Sequence, residues 1–160
     1  MTTTPPIANI AVPSKRRAQQ TYVTEVVQAR ERLFEAERAI DDSKNTTNPS
    51  YALSSLALSE EATSAALAHI TGALAWLPAP DYGRALRHGE RAIKAALAHI
   101  RIYHGWLTDD GTEDRRFVGT QVQRSRSHAL AAVTAARAEV HRALDLITRT
   151  FPDAAEIEAD

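Results

Sequence analysis

Apolar residues recur three and four positions apart through most of the chain, and the breaks in that rhythm divide it into four long helices. From about 14 to 43, Tyr22, Val26, Ala29, Leu33, Ala36 and Ile40 form the seam of a packed amphipathic helix. "KNTTNPS" ends it, with Asn48 placed to cap the next helix and Pro49 suited to a first helical turn. The second helix is predicted over 49–77, with seam Leu53, Leu56, Glu60, Thr63, Leu67, Ile70, Leu74 and Leu77. The prolines of "PAPD" at 78–81 stop it. A third helix follows over 81–107, with seam Leu86, Glu90, Ile93, Leu97, Ile100, His104 and Leu107.

"TDDGTED" reads as a turn, offering Asp110 and Thr112 as caps. The fourth helix is predicted over 113–149, with Val122, Ala129, Val133, Ala136, Val140, Leu144 and Ile147 facing inward. Nothing alternates with period two for long enough to make a sheet. Four long helices on short turns predict an all-α fold, an elongated antiparallel up-down four-helix bundle spanning 14–151. At 1.5 Å per residue the rod is roughly 40 Å long. Residues 1–13, with Pro5, Pro6 and Pro13, read as an extended N-terminal arm, and 152–160 as an acidic tail.

The middle helices share an internal repeat. "EEATSAALAHITGALAWL" (60–77) aligns with "ERAIKAALAHIRIYHGWL" (90–107), and each copy sets a histidine seven residues before a tryptophan. Duplication of a helix or a helical hairpin is one explanation of the likeness, and convergence of Ala-rich helices on similar strings is the other. At about 100° per residue, His69 and Trp76 fall with Tyr51 and Leu58 away from the seam of the second helix. His99, Tyr103 and Trp106 do the same on the third. Glu60 and Glu61 are the only charges of the second helix. Such a helix is expected to be covered on more than one side.

Composition narrows the classes. At 160 residues with 44% hydrophobic and 24% charged residues, the chain is expected to be one globular domain with a proper core. No cysteine is present, which removes disulfides, thiolate metal sites and cysteine nucleophiles. The start has no secretory pattern, and no stretch has the apolar length to cross a bilayer, so a cytoplasmic protein without a membrane partner is expected. A net charge of −1 speaks against a general polyanion binder. Its distribution does not: Arg84, Arg87, Arg91, Lys94 and Arg101 share one face of the third helix. Lys15, Arg16 and Arg17, and Arg115, Arg116, Arg124 and Arg126, form further basic clusters.

Candidate chemistry is sparse. Ferritin-like bundles hold metals with Glu-x-x-His pairs on one helix face, and no Glu here has a His three residues on. Neither His-Glu-x-x-His nor His-x-x-x-His occurs, so no metal and no cofactor are expected. Glu60, Glu90 and His104 in the seams, with Arg30, Arg126, Arg137 and His141 near inward positions, form either an acid/base or ligand pocket or interior ion pairs that fix helix register. The pairing reading fits better, since Glu60 and Glu90 fall about nine residues apart along the rod. Helical-bundle ribonucleases space Arg and His more widely than Arg124–His128 and Arg137–His141. The Asn45-Thr-Thr sequon has no secretion signal beside it, and "DDG" at 109–111 lacks the other ligands of a calcium loop.

The expectation is a non-enzymatic interaction or scaffolding protein that self-associates or docks into a larger assembly. Its interface would comprise Tyr51, Leu58, His69, Trp76, His99, Tyr103 and Trp106, because aromatics dominate interface energetics. The first alternative is a nucleic-acid-associated subunit using the basic stripe of the third helix. The second is a ligand- or metal-binding bundle using the interior Glu and His.

Overall fold

The computed structural model describes residues 15–44, 48–76, 80–109 and 114–150. The predicted arm 1–13, the tail 152–160, the sequon at Asn45 and the caps Asp110 and Thr112 lie outside the described residues, as does Leu77. Side chains of 15–19 and of Trp76 are likewise outside them.

Four helices fill the described chain: α1 Lys15–Ser43, α2 Pro49–Trp76, α3 Pro80–Leu107 and α4 Arg115–Thr150. No strand occurs among the described residues. Their bounds lie within two residues of those expected from the hydrophobic rhythm. Asn48 caps α2, its Oδ1 accepting a hydrogen bond from the Ser50 amide at 3.0 Å. Asp114 caps α4, its Oδ1 accepting from the Arg116 amide at 2.7 Å and the Phe117 amide at 3.4 Å. That cap stands two residues beyond Thr112 and four beyond Asp110, the candidates the sequence offers. Pro80 belongs to the first turn of α3, where its missing N–H costs nothing.

The helices form a four-cornered bundle in which α1 packs on α2 and α4, and α3 on α2 and α4. Packing is tighter within the hairpins α1–α2 and α3–α4 than between them. The core runs the length of the rod. From α1 come Tyr22, Val26, Ala29, Leu33, Ala36 and Ile40, and from α4 Ala129, Val133, Ala136, Val140, Leu144 and Ile147. These are the seams expected, apart from Val122 of α4, which is only half-buried.

The middle helices depart from expectation. In α2 the buried line is Ala52, Leu56, Ser59, Ala62, Thr63, Ala66, Ile70 and Ala73, whereas Leu53, Glu60, Leu67 and Leu74 are half-buried flanks. Small residues take most of the inward positions of α2, beside Leu56 and Ile70, and the leucines line its flanks. In α3 the core side chains are large: Tyr82, Leu86, Ile93, Leu97, Ile100 and Tyr103. Gly89 stands where a Cβ would lie 3.4 Å from Val140 Cγ2, so it sets the close approach of α3 to α4.

Tyrosines tie the diagonal at both ends. At one end the rings of Tyr22 and Tyr82 meet edge to face, centroids 5.5 Å apart. At the other, the hydroxyls of Ser43 and Tyr103 are 2.7 Å apart, and Ser43 Oγ also donates to the Ile40 carbonyl.

Candidate interaction surfaces

The two repeat histidines each face the partner helix of their own hairpin. His69 Nδ1 lies 2.8 Å from Glu25 Oε2 on α1, in a half-buried pair. The ring of His99 meets that of His128 on α4 at 6.0 Å between centroids. Trp106 continues the second stripe, packing edge-on against Phe117 of α4 at 5.7 Å. The stripe therefore lies along the intra-hairpin grooves.

Tyr103 is the clear correction. It was placed on a second outer face, yet it is buried in the core and bonded to Ser43, because α3 turns it toward the bundle axis. Tyr51 and Leu58 are open, at 69% and 61% exposure.

The seam charges resolve into ion pairs. Glu60 Oε1 accepts from Arg101 Nε at 3.3 Å across α2–α3, and Glu90 lies 3.7 Å from Lys94 on its own helix. Glu37 meets Arg137 across α1–α4, with Arg137 Nε 2.8 Å from Oε2 and Thr134 Oγ1 donating to Oε1. Glu37 Oε2 makes no well-directed hydrogen bond, so the charge of Arg137 is what compensates it. His104 and His141, expected inward, are exposed. Among the described residues no three His, Asp or Glu come together as a metal set would require. No helix among them is long and apolar enough to cross a membrane.

The outward seams differ sharply between the repeat helices. On α2 the exposed line is Ser50, Ser54, Ala57, Glu61, Ser64, Ala68, Thr71 and Ala75, spaced four and three in strict alternation. On α3 it is Arg84, Arg87, Arg91, Lys94, Ala98, Arg101 and Gly105, all exposed and with the same alternation. One is small and nearly uncharged; the other is a basic stripe. Sequence reasoning found the basic stripe but missed the small seam, although its 4-3 spacing was there to be read.

Charge differs between the two pairs of helices as well. The helices α3 and α4 carry twelve Lys and Arg against only Asp81, Glu90, Glu139 and Asp145. The helices α1 and α2 carry six basic and eight acidic residues. The eight remaining acidic residues of the sequence fall at 109–114 and 153–160, so the basic excess belongs to the helices α3 and α4 and not to that half of the chain.

The fold is that of an all-α four-helix bundle. Comparison with protein-family models, with curated proteins and with solved structures finds no match to the chain.

Proposed function

We propose that the chain is a non-enzymatic interaction protein that docks through the outward face of α2, with a second copy of itself as the best-fitting partner. The observation that carries this reading is the α2 seam. Its eight exposed positions include a single charge, Glu61, and Tyr51 and Leu58 flank it with exposed apolar surface. Small side chains in a 4-3 repeat let two helix backbones approach closely and interlock.

The seam is also symmetric about its midpoint. In an antiparallel pair of α2 helices, Ala57 of one copy falls level with Ala68 of the other, and Ser54 with Thr71. Glu61, the one charge, falls level with a Ser64 hydroxyl that can donate to it. The α3 half of the expected interface contributes less, since Tyr103 is in the core and His99 and Trp106 are engaged within their hairpin. Half-buried Glu60 and Glu90 are each held by a cation; the Glu60–Arg101 pair joins α2 to α3, and the Glu90–Lys94 pair lies within α3.

One helix face offers less area than the ~800 Å² per partner of a standard interface, so association is expected in the micromolar range or weaker. Light scattering over a wide concentration range tests it. The mass should rise with concentration in the natural chain and stay monomeric in an Ala57→Arg, Ala68→Arg variant. A monomer at every concentration would overturn the self-association reading.

A further inference from the structure

The basic stripe of α3 is a second surface, independent of the α2 seam. We infer that the α3–α4 face binds the phosphate backbone of double-stranded nucleic acid without reading its sequence.

The cations are arranged for a linear polyanion. Arg84, Arg87, Arg91, Lys94 and Arg101 recur nearly once per turn along the outward seam of α3, over roughly 26 Å at 1.5 Å per residue. Arg84, Arg87 and Arg91 make no ion pair among the described residues, whereas Lys94 and Arg101 each hold a glutamate. Three consecutive turns therefore present uncompensated guanidinium groups, which suit phosphate oxygens through their fixed fork of donors.

The ground beside the stripe is low. Next to the His99–His128 contact, in antiparallel register, lie Ala92 and Ala95 on α3 and Ala132 and Ala135 on α4. A backbone can settle there against the stripe, and Arg124 on exposed α4 surface adds charge at the far side.

Two features choose this partner over an acidic protein and over a single strand. Between Arg84 and Arg101 the exposed residues are Arg, His, Lys and Ala, with no large apolar side chain to anchor a protein hot spot. The same stretch exposes no Phe, Tyr or Trp on which unpaired bases could stack. What remains is charge at regular spacing, which is the requirement of duplex backbone binding.

Fluorescence anisotropy of the full chain with a labelled mixed-sequence duplex of about 20 base pairs, over about 50–200 mM salt, tests the assignment. With three to five phosphates neutralised, the log–log salt slope should be about −3 to −4.5. The triple variant Arg84→Ala, Arg87→Ala, Arg91→Ala should weaken binding more than about tenfold at low salt and flatten the slope by nearly 3. Circular dichroism should show its helix content unchanged, since all three side chains are exposed. Tighter binding of the matching single strand or of poly-glutamate would overturn the proposal, as would a triple variant that binds the duplex as well as the natural chain. A salt-sensitive self-association lost in the triple variant would overturn it too, assigning the stripe to the acidic hairpin of another copy. The Ala57→Arg, Ala68→Arg variant keeps the stripe intact, so failure of one surface is distinguishable from failure of the other.

Discussion

The helices α2 and α3 contain similar strings, share a His-to-Trp spacing of seven, and differ on both of their faces. Inside the bundle α2 offers Leu56 and Ile70 among the small Ala52, Ser59, Ala62, Thr63, Ala66 and Ala73, whereas α3 offers chiefly large side chains, Tyr82, Leu86, Ile93, Leu97, Ile100 and Tyr103, with Ala96. Outside, α2 is lined by Ser, Ala and Thr, and α3 by Arg and Lys. The residues common to both copies, "AALAHI", lie at mid-helix, where each helix meets its hairpin partner through its histidine. The shared string spans every side of the helix: Ala66, Ile70, Ala96 and Ile100 lie in the core, His69 and His99 face the hairpin partner, and Ala68 and Ala98 point outward. The two helices differ in the residues around it, in the rest of the core contribution and of the outward line.

The largest expected effect comes from the inner faces. Ile93 is fully buried near the middle of α3, and Ile93→Ala leaves a cavity that its large neighbours cannot all fill. It should cost about 2–5 kcal/mol, read as a lowered urea midpoint. On α2 the disruptive change is the opposite one: Ala66→Leu forces a methylene-rich side chain into a closely packed contact and should cost about 1–3 kcal/mol. If Ala66→Leu were stabilising instead, α2 would be loosely packed and the division of labour between the helices would fail.

That division also explains what the sequence could and could not disclose. The seams of α1 and α4 were legible because charged residues alternate with apolar ones and fix the phase of each helix. Helix α2 has almost no such contrast, so its leucines drew the seam toward Leu53, Leu67 and Leu74 while Ala52, Ser59, Ala66 and Ala73 went inside. On α3 the position of Tyr103 turned on a hydroxyl partner, Ser43, sixty residues away in the chain. The basic stripe needed no such knowledge, because cations on an outward line are visible from periodicity alone.

The diagonal tyrosines provide a smaller test of how α3 is tied to α1. Tyr103→Phe removes a buried hydroxyl that bonds Ser43, and should cost about 0.5–1.5 kcal/mol. Tyr22 is as deeply buried, but its hydroxyl has no hydrogen-bond partner among the described residues. Tyr22→Phe should therefore be neutral or stabilising at neutral pH, because it removes a desolvated polar group without breaking a bond. Burial foremost, with the neighbouring Tyr82 adding to it, raises the pKa of Tyr22 above its usual 10, and burial also raises that of Tyr82. A raised folded-state pKa means that the native chain holds protons the unfolded chain has released. Stability is then constant below pH 10 and falls as pH climbs past it. Tyr22→Phe should blunt that alkaline loss in a pH series of thermal melts.

The smallest effects belong to the two junctions between hairpins, each bridged by an ion pair among the described residues. At α2–α3, Glu60 meets Arg101 at 3.3 Å with side chains 38% and 64% exposed. At α1–α4, Glu37 meets Arg137 at 2.8 Å with 22% and 36% exposure, and accepts a further bond from Thr134. Exposure and a single contact limit Glu60→Gln to about 0.2–1 kcal/mol, a loss that should fade at high salt. Glu37→Gln should cost more and depend less on salt, because the carboxylate it removes is better shielded and leaves Arg137 with fewer acceptors. Urea titrations of both variants at low and high salt separate the cases. Equal, salt-sensitive losses would mean that the two junctions are alike, and that the α2–α3 junction is no weaker electrostatically than the one closing the bundle. The expected order places the softer joint between the repeat helices, on the side where a second copy would seat against α2.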